Sequence, residues 1–266
     1  MIDFLKKYEV WIFLILAPIS SAIFVYISSL GYFSESLYNH GRFFLLLAIL
    51  VGLVKVTRGN KGLVEMLKPM LNWKVSPTWY LFCALFACSL AVLFLIAKGL
   101  FLEGDYNAFL EVNTGILTFK RFFVILIWAF VGEVVWVSYS VRQLSKLTNP
   151  FLASQIVGFF WGLWWVPLMY FGIGVIHDVP TWPLLIHMMG AAGMCAIVYG
   201  KTKSGICVLL LQFGLNSTGL LLPVSPRTGG VDTYTAFAVL YFLTMLVFMY
   251  FMNPVKEFQV KESYTA

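Results

Sequence analysis

Apolar runs of roughly twenty residues recur along this chain, and no other feature constrains its fold as tightly. They cover about 10 to 31, 41 to 57, 78 to 102, 121 to 142, 151 to 172, 181 to 199, 204 to 223 and 232 to 252. A hydrocarbon core about 30 Å thick takes about 20 such residues as a helix, and lipid-exposed backbone has to satisfy its own hydrogen bonds. The runs lack the alternation of a membrane β-barrel. With 61% hydrophobic and only 11% charged residues, a soluble domain of 266 residues could not cover its surface with polar groups. The sequence therefore predicts an all-α polytopic membrane protein of about eight transmembrane helices, a single transmembrane domain over residues 1–266.

The net charge of +6 does not point to nucleic acid, because no basic run has the density or aromatic interleaving of a binding face. It reads as topology. With the N-terminus cytoplasmic, thirteen Lys and Arg fall on that side: Lys6 and Lys7, five between Lys55 and Lys74, then Arg142, Lys146, Lys201, Lys203, Lys256 and Lys261. The other side keeps five, Arg42, Lys98, Lys120, Arg121 and Arg227, and collects Glu103, Asp105, Glu111, Asp178 and Asp232. The bias predicts a multi-pass protein of the cell membrane with both termini in the cytoplasm. The first apolar run is too long for a cleaved signal peptide and reads as a retained anchor.

Cys83, Cys88, Cys195 and Cys207 all lie inside apolar runs without metal-ligand spacing, so they read as core residues. The segment Gly62 to Lys74 spaces its leucines at helical intervals up to Pro69 and reads as an interfacial helix. Glu103 to Gly115 is the longest polar stretch and too short for a domain of its own.

An ionisable group inside a span costs about 2.5 to 3.5 kcal/mol and is a functional-site candidate. Glu133 stands out, nine residues from Arg142, or about 13 Å from the cytoplasmic end at 1.5 Å per residue. Gln212, nine residues from Lys203, reaches the same depth, with Asn216 one turn further on the same face. Trp165 comes to a similar level from a third helix. Amides in spans also serve as interhelical glue worth about 0.6 to 2 kcal/mol, and a protonated Glu can donate to a carbonyl. His187 counts about 8 Å deeper than Glu133 and reads as a polar contact near the outer surface. His40 and His177 fall in or beside outer loops.

Three stretches together carry a family resemblance: GEVVWVSYSVRQL (Gly132 to Leu144), WGLWWVPL (Trp161 to Leu168) and YGKTKSGICVLLLQFGLNSTG (Tyr199 to Gly219). They resemble the CAAX-protease and bacteriocin-processing (CPBP, or Abi) family of eight-helix intramembrane metalloproteases, over a core of about 120–223. In that family the first stretch carries a glutamate pair and an arginine, the second a histidine and the third a second histidine and an asparagine. Matching Trp136 to the family tryptophan puts Glu133 at the second glutamate, Gly132 at the first and Val137 at the arginine. Trp161 matches, Trp165 stands at the first histidine, Gln212 at the second, and Asn216 at the asparagine.

The resemblance implies a general-base glutamate acting on a water held by the histidines and asparagine, with zinc. An indole N–H and a neutral amide are not zinc ligands, so the substitutions predict no metal and no cofactor. The expected role is that of a pseudoprotease whose mid-membrane cavity, lined by Gly132, Trp136, Trp161, Trp165, Gln212 and Asn216, holds a membrane protein, a peptide or a membrane lipid. One alternative is an intramembrane endopeptidase rearranged around Glu133, with amides acting as an oxyanion hole. A small transporter is the other, although the spans lack charge relays and paired broken helices.

Overall fold

The computed structural model describes residues 2–116, 118–171 and 179–254, so His177, Asp178, Lys256 and Lys261 lie outside the described residues. Every long element among them is helical: α1 (Ile2–Lys7), α2 (Glu9–Ser29), α3 (Glu35–Leu67), α4 (Pro77–Leu102), α5 (Phe119–Gly132), α6 (Arg142–Leu144), α7 (Pro150–Phe171), α8 (Thr181–Thr202), α9 (Gly205–Leu221) and α10 (Pro226–Met252). Polar residues between the apolar runs start the helices. Ser34, Thr118 and Ser204 accept the backbone N–H three residues on, each at 3.3 Å, and Asn149 does the same at 2.9 Å.

Among the described residues, seven helical stretches are long and apolar enough to cross a membrane, including Phe119–Leu144 as one unit, and the chain is a multi-pass membrane protein. The eighth run, α9, is a 17-residue apolar helix. It is about 25 Å long at 1.5 Å per residue, shorter than a full crossing. The run at 41–57 understates α3, which is two helical stretches joined by a kink at Gly59, the second reaching Leu67; a φ of 65° turns the chain there, where a side chain would be strained. The leucine-spaced segment that follows ends in a 3-10 turn at Lys68–Leu71 holding Pro69, as its pattern predicts.

Close packing falls on glycine. A Cβ on Gly158 would lie 2.5 Å from Met189 Cα, and one on Gly162 would lie 3.2 Å from Leu185 Cα, so the Gly158–Gly162 pair lets α7 lie against α8. Gly190 gives the same access on the other side of α8, 3.1 Å from Phe242 Cα of α10. This makes α8 the centre of the bundle, buried without interruption from Gly190 to Gly200. It ends on Lys203 in the left-handed region (φ 53°), and Asn72 staples the turn by donating to the Thr202 and Lys203 carbonyls at 3.1 and 3.2 Å.

Candidate functional site

The first motif stretch does not wind as an α-helix. From Glu133 to Val141 the backbone is π-helical, and all nine residues are buried. In this winding, residues five apart meet: Ser138 Oγ donates to Glu133 Oε1 at 2.5 Å, and Ser140 Oγ donates to the Val135 carbonyl at 2.7 Å. Trp136 is turned into an aromatic stack, parallel to Trp161 with centroids 5.8 Å apart and tilted against Phe13 at 6.1 Å.

Glu133 is fully buried against the first turn of α9. A Cβ on Gly205 would stand 2.9 Å from its Oε1, so glycine at the start of α9 makes room for the carboxylate. Its other oxygen, Oε2, has no hydrogen-bond partner among the described residues.

A half-open cavity of about 150 Å³ lies elsewhere, between α3, α5, α7, α8, α9 and α10. Five of the residues singled out by sequence line it: Gly132, Trp161, Trp165, Gln212 and Asn216. Glu133 is absent from the lining, and so is Trp136, whose expected place in the cavity wall is corrected. The reason is the π-winding, which a 3.6-residue period does not anticipate.

His187 makes a polar contact, as expected, with Nδ1 3.2 Å from Tyr234 Oη. It also lines the cavity, which sequence reading did not foresee, because the cavity extends along the bundle to Ser225 and Tyr234. His40, placed by sequence beside an outer loop, has its ring 5.8 Å from Trp128.

Four polar atoms of the lining have no hydrogen-bond partner among the described residues: Trp128 Nε1, Trp165 Nε1, Gln212 Nε2 and His187 Nε2. Three of them are obligate donors, so the cavity presents N–H groups to whatever fills it. Asn216, the exposed member, stands at its edge.

Trp165 is held from behind. The Arg42 guanidinium lies 4.4 Å from its ring centroid and 3.8 Å from that of Trp164, and Phe43 meets both indoles edge-on. Arg42 is only 3% exposed and reaches the Trp164 carbonyl at 3.5 Å, while Ser21 donates to the same carbonyl at 2.7 Å. Sequence reading treated Arg42 as an outer topological charge. A lone arginine at the head of an apolar run gave no sign of an aromatic clamp 122 residues away.

The positions of the family's first glutamate and second histidine are in contact here. A Cβ on Gly132 would sit 2.5 Å from Gln212 Oε1, so the missing side chain and the longer amide fill one space. Zinc does not fit this lining. His187 is the one usual ligand among the residues named, Trp165 offers an N–H donor, and Glu133 points away. Among the described residues no three His, Cys, Asp or Glu side chains converge.

At the opposite end, Glu9 at the start of α2 is 8% exposed and fully engaged. Arg58 pairs with it at 2.8 Å, Tyr139 Oη donates to it at 2.8 Å and Thr57 Oγ1 donates to its other oxygen. Sequence reading missed this network, because Glu9 and Arg58 both sit at run ends, where charges are ordinary.

Against known proteins, CAAX prenyl protease 2 of Methanococcus maripaludis is 26% identical over 124 residues, 44% of this chain. The chain thus spans 46% of the length of the curated relative it matches. No family model matches it. The molecule is an all-α, multi-pass membrane protein with a distant, partial likeness to a CAAX prenyl protease.

Proposed function

We propose that this chain is a degenerate CAAX-protease-like protein, a pseudoprotease of the cell membrane whose cavity binds a membrane protein, peptide or lipid. Both termini lie in the cytoplasm on the evidence of the Lys and Arg bias. The observation that carries the reading is the Gly132–Gln212 contact: the space where a glutamate and a histidine would meet is filled by one neutral amide. Around it, unpartnered Trp165 and Gln212 N–H groups suit an acceptor such as a peptide or ester carbonyl, and the aromatic walls suit an apolar segment.

A peptidase built on Glu133 finds less support, since its side chain is hydrogen-bonded to Ser138, packed beside Gly205 and absent from the cavity lining. The test is metal content and peptide cleavage by the purified wild-type chain, beside a Gly132→Glu, Trp165→His, Gln212→His triple variant. The reading expects no bound zinc and no turnover in the wild type, with zinc taken up by the triple variant. One zinc per wild-type chain, with cleavage lost in Glu133→Gln, would overturn it.

A further inference from the structure

The walls of the half-open cavity narrow the chemistry of what can fill it. Its volume of about 150 Å³ is that of a single ring: an apolar protein cavity of about this size takes up benzene, whereas drug-sized ligands fill about 300 to 1,000 Å³. The space therefore holds a small head, and the open side lets a tail run out. Flat surfaces line it. Phe43 and Trp128 lie within 7° of parallel at 5.4 Å, and the Trp165 ring stands edge-on to Phe43 at 6.0 Å. Such walls suit a planar ring better than a flexible chain.

Among the described residues no Asp, Glu, Lys or Arg lines the cavity, so an ionised head would find no counter-charge in its walls. The lining atoms left without a partner are instead donors. Trp128 Nε1 on α5, Trp165 Nε1 on α7 and Gln212 Nε2 on α9 can only donate. Where the Tyr234 hydroxyl donates to His187 Nδ1, His187 Nε2 carries its hydrogen and becomes a fourth donor, from α8. A carbonyl oxygen has two lone pairs, so this many donors call for two carbonyls on one small head. Gln212 lies nine residues from Lys203 and His187 fourteen from Lys201, which sets them about 8 Å apart in depth. Donors at two levels match acceptors at the two ends of a ring.

We infer, on the reading that this cavity is a ligand site, that it binds the head of a membrane quinone. The benzoquinone ring lies against the aromatic walls with its carbonyls on the indole and amide N–H groups, and the apolar tail leaves by the open side. The ring is held as it is, and no bond is made or broken. An acyl ester fits less well, because it brings one strong acceptor and no ring to stack.

The test uses the full-length chain in detergent, read by native mass spectrometry with three probes: decylplastoquinone, a dimethylbenzoquinone with a decyl tail, decylbenzene and dioleoylglycerol. Decylplastoquinone should be retained at one per chain. Decylbenzene, with ring and tail but no carbonyls, should be retained about 25-fold more weakly, from about fivefold for each hydrogen-bonded end. Trp165→Phe and Gln212→Met should each weaken decylplastoquinone about fivefold and leave decylbenzene unchanged. Trp73→Phe, which alters an exposed indole outside the cavity, should change neither. Thermal unfolding of each variant checks that the fold is kept. Equal retention of decylplastoquinone and decylbenzene, no retention of the quinone, or weakening by Trp73→Phe equal to that by Trp165→Phe would overturn the inference. Dioleoylglycerol retained in preference to the quinone, and lost in Gln212→Met, would overturn it while leaving the ligand cavity standing. Zinc and peptide cleavage in the wild type would remove the ligand site as well.

Discussion

The two ends of the bundle treat buried polar groups in opposite ways. At the basic end, both Glu9 oxygens are taken, by an arginine, a tyrosine and a threonine drawn from α3 and the π-helical stretch. At the cavity, Trp128, Trp165, Gln212 and His187 each leave a ring or amide nitrogen without a partner among the described residues. An unmet polar group in an apolar surround costs about 1 to 3 kcal/mol, so four around one hollow call for water or a ligand to meet them. The satisfied end holds helices together, and the unsatisfied end is where the proposed reading places a ligand.

The largest effect should come from breaking the satisfied end. Glu9→Ala leaves Arg58 and the Tyr139 hydroxyl without their acceptor and should cost about 2 to 4 kcal/mol, read as a fall in thermal unfolding temperature in detergent. Unchanged unfolding would mean that the network is ornamental.

Next is Gly132→Ala, expected to cost about 1 kcal/mol because Gln212 Oε1, the far end of a flexible side chain, is pushed aside. Adding Gln212→Ala should relieve part of it, and a double-mutant cycle would give a coupling of about 0.5 kcal/mol or more. Strict additivity would break the claim that the two positions share one space.

Ser138→Ala removes the hydrogen bond to Glu133 and should cost about 1 to 2 kcal/mol. If Glu133 instead served the cavity, this change would alter ligand retention and leave stability alone.

What the sequence made legible was the division into apolar helices and the convergence of Gly132, Trp161, Trp165, Gln212 and Asn216 on one cavity. Both follow from features that act locally: hydrophobic run length, and residue letters matched within short stretches. Trp136 went astray because a motif match carries no winding, and the π-helical stretch turns its ring onto Trp161 and Phe13. Glu9 and Arg42 were illegible for another reason. Their burial depends on contacts with Tyr139 and Trp164, 130 and 122 residues away, which no local pattern encodes. The length of α3 was hidden by the charged residues from Lys55 to Lys61, which look like a loop, although a second helical stretch resumes past the kink at Gly59.

The smallest stability effect carries the most weight, because it separates the two ends most directly. Gln212→Met keeps the length of the side chain and removes an amide N–H that has no partner. Measured beside Glu9→Ala, its thermal unfolding temperature should match or exceed that of the wild type, while Glu9→Ala falls. A fall for Gln212→Met as large as that for Glu9→Ala would mean that the cavity amide holds the fold together, and would contradict the account.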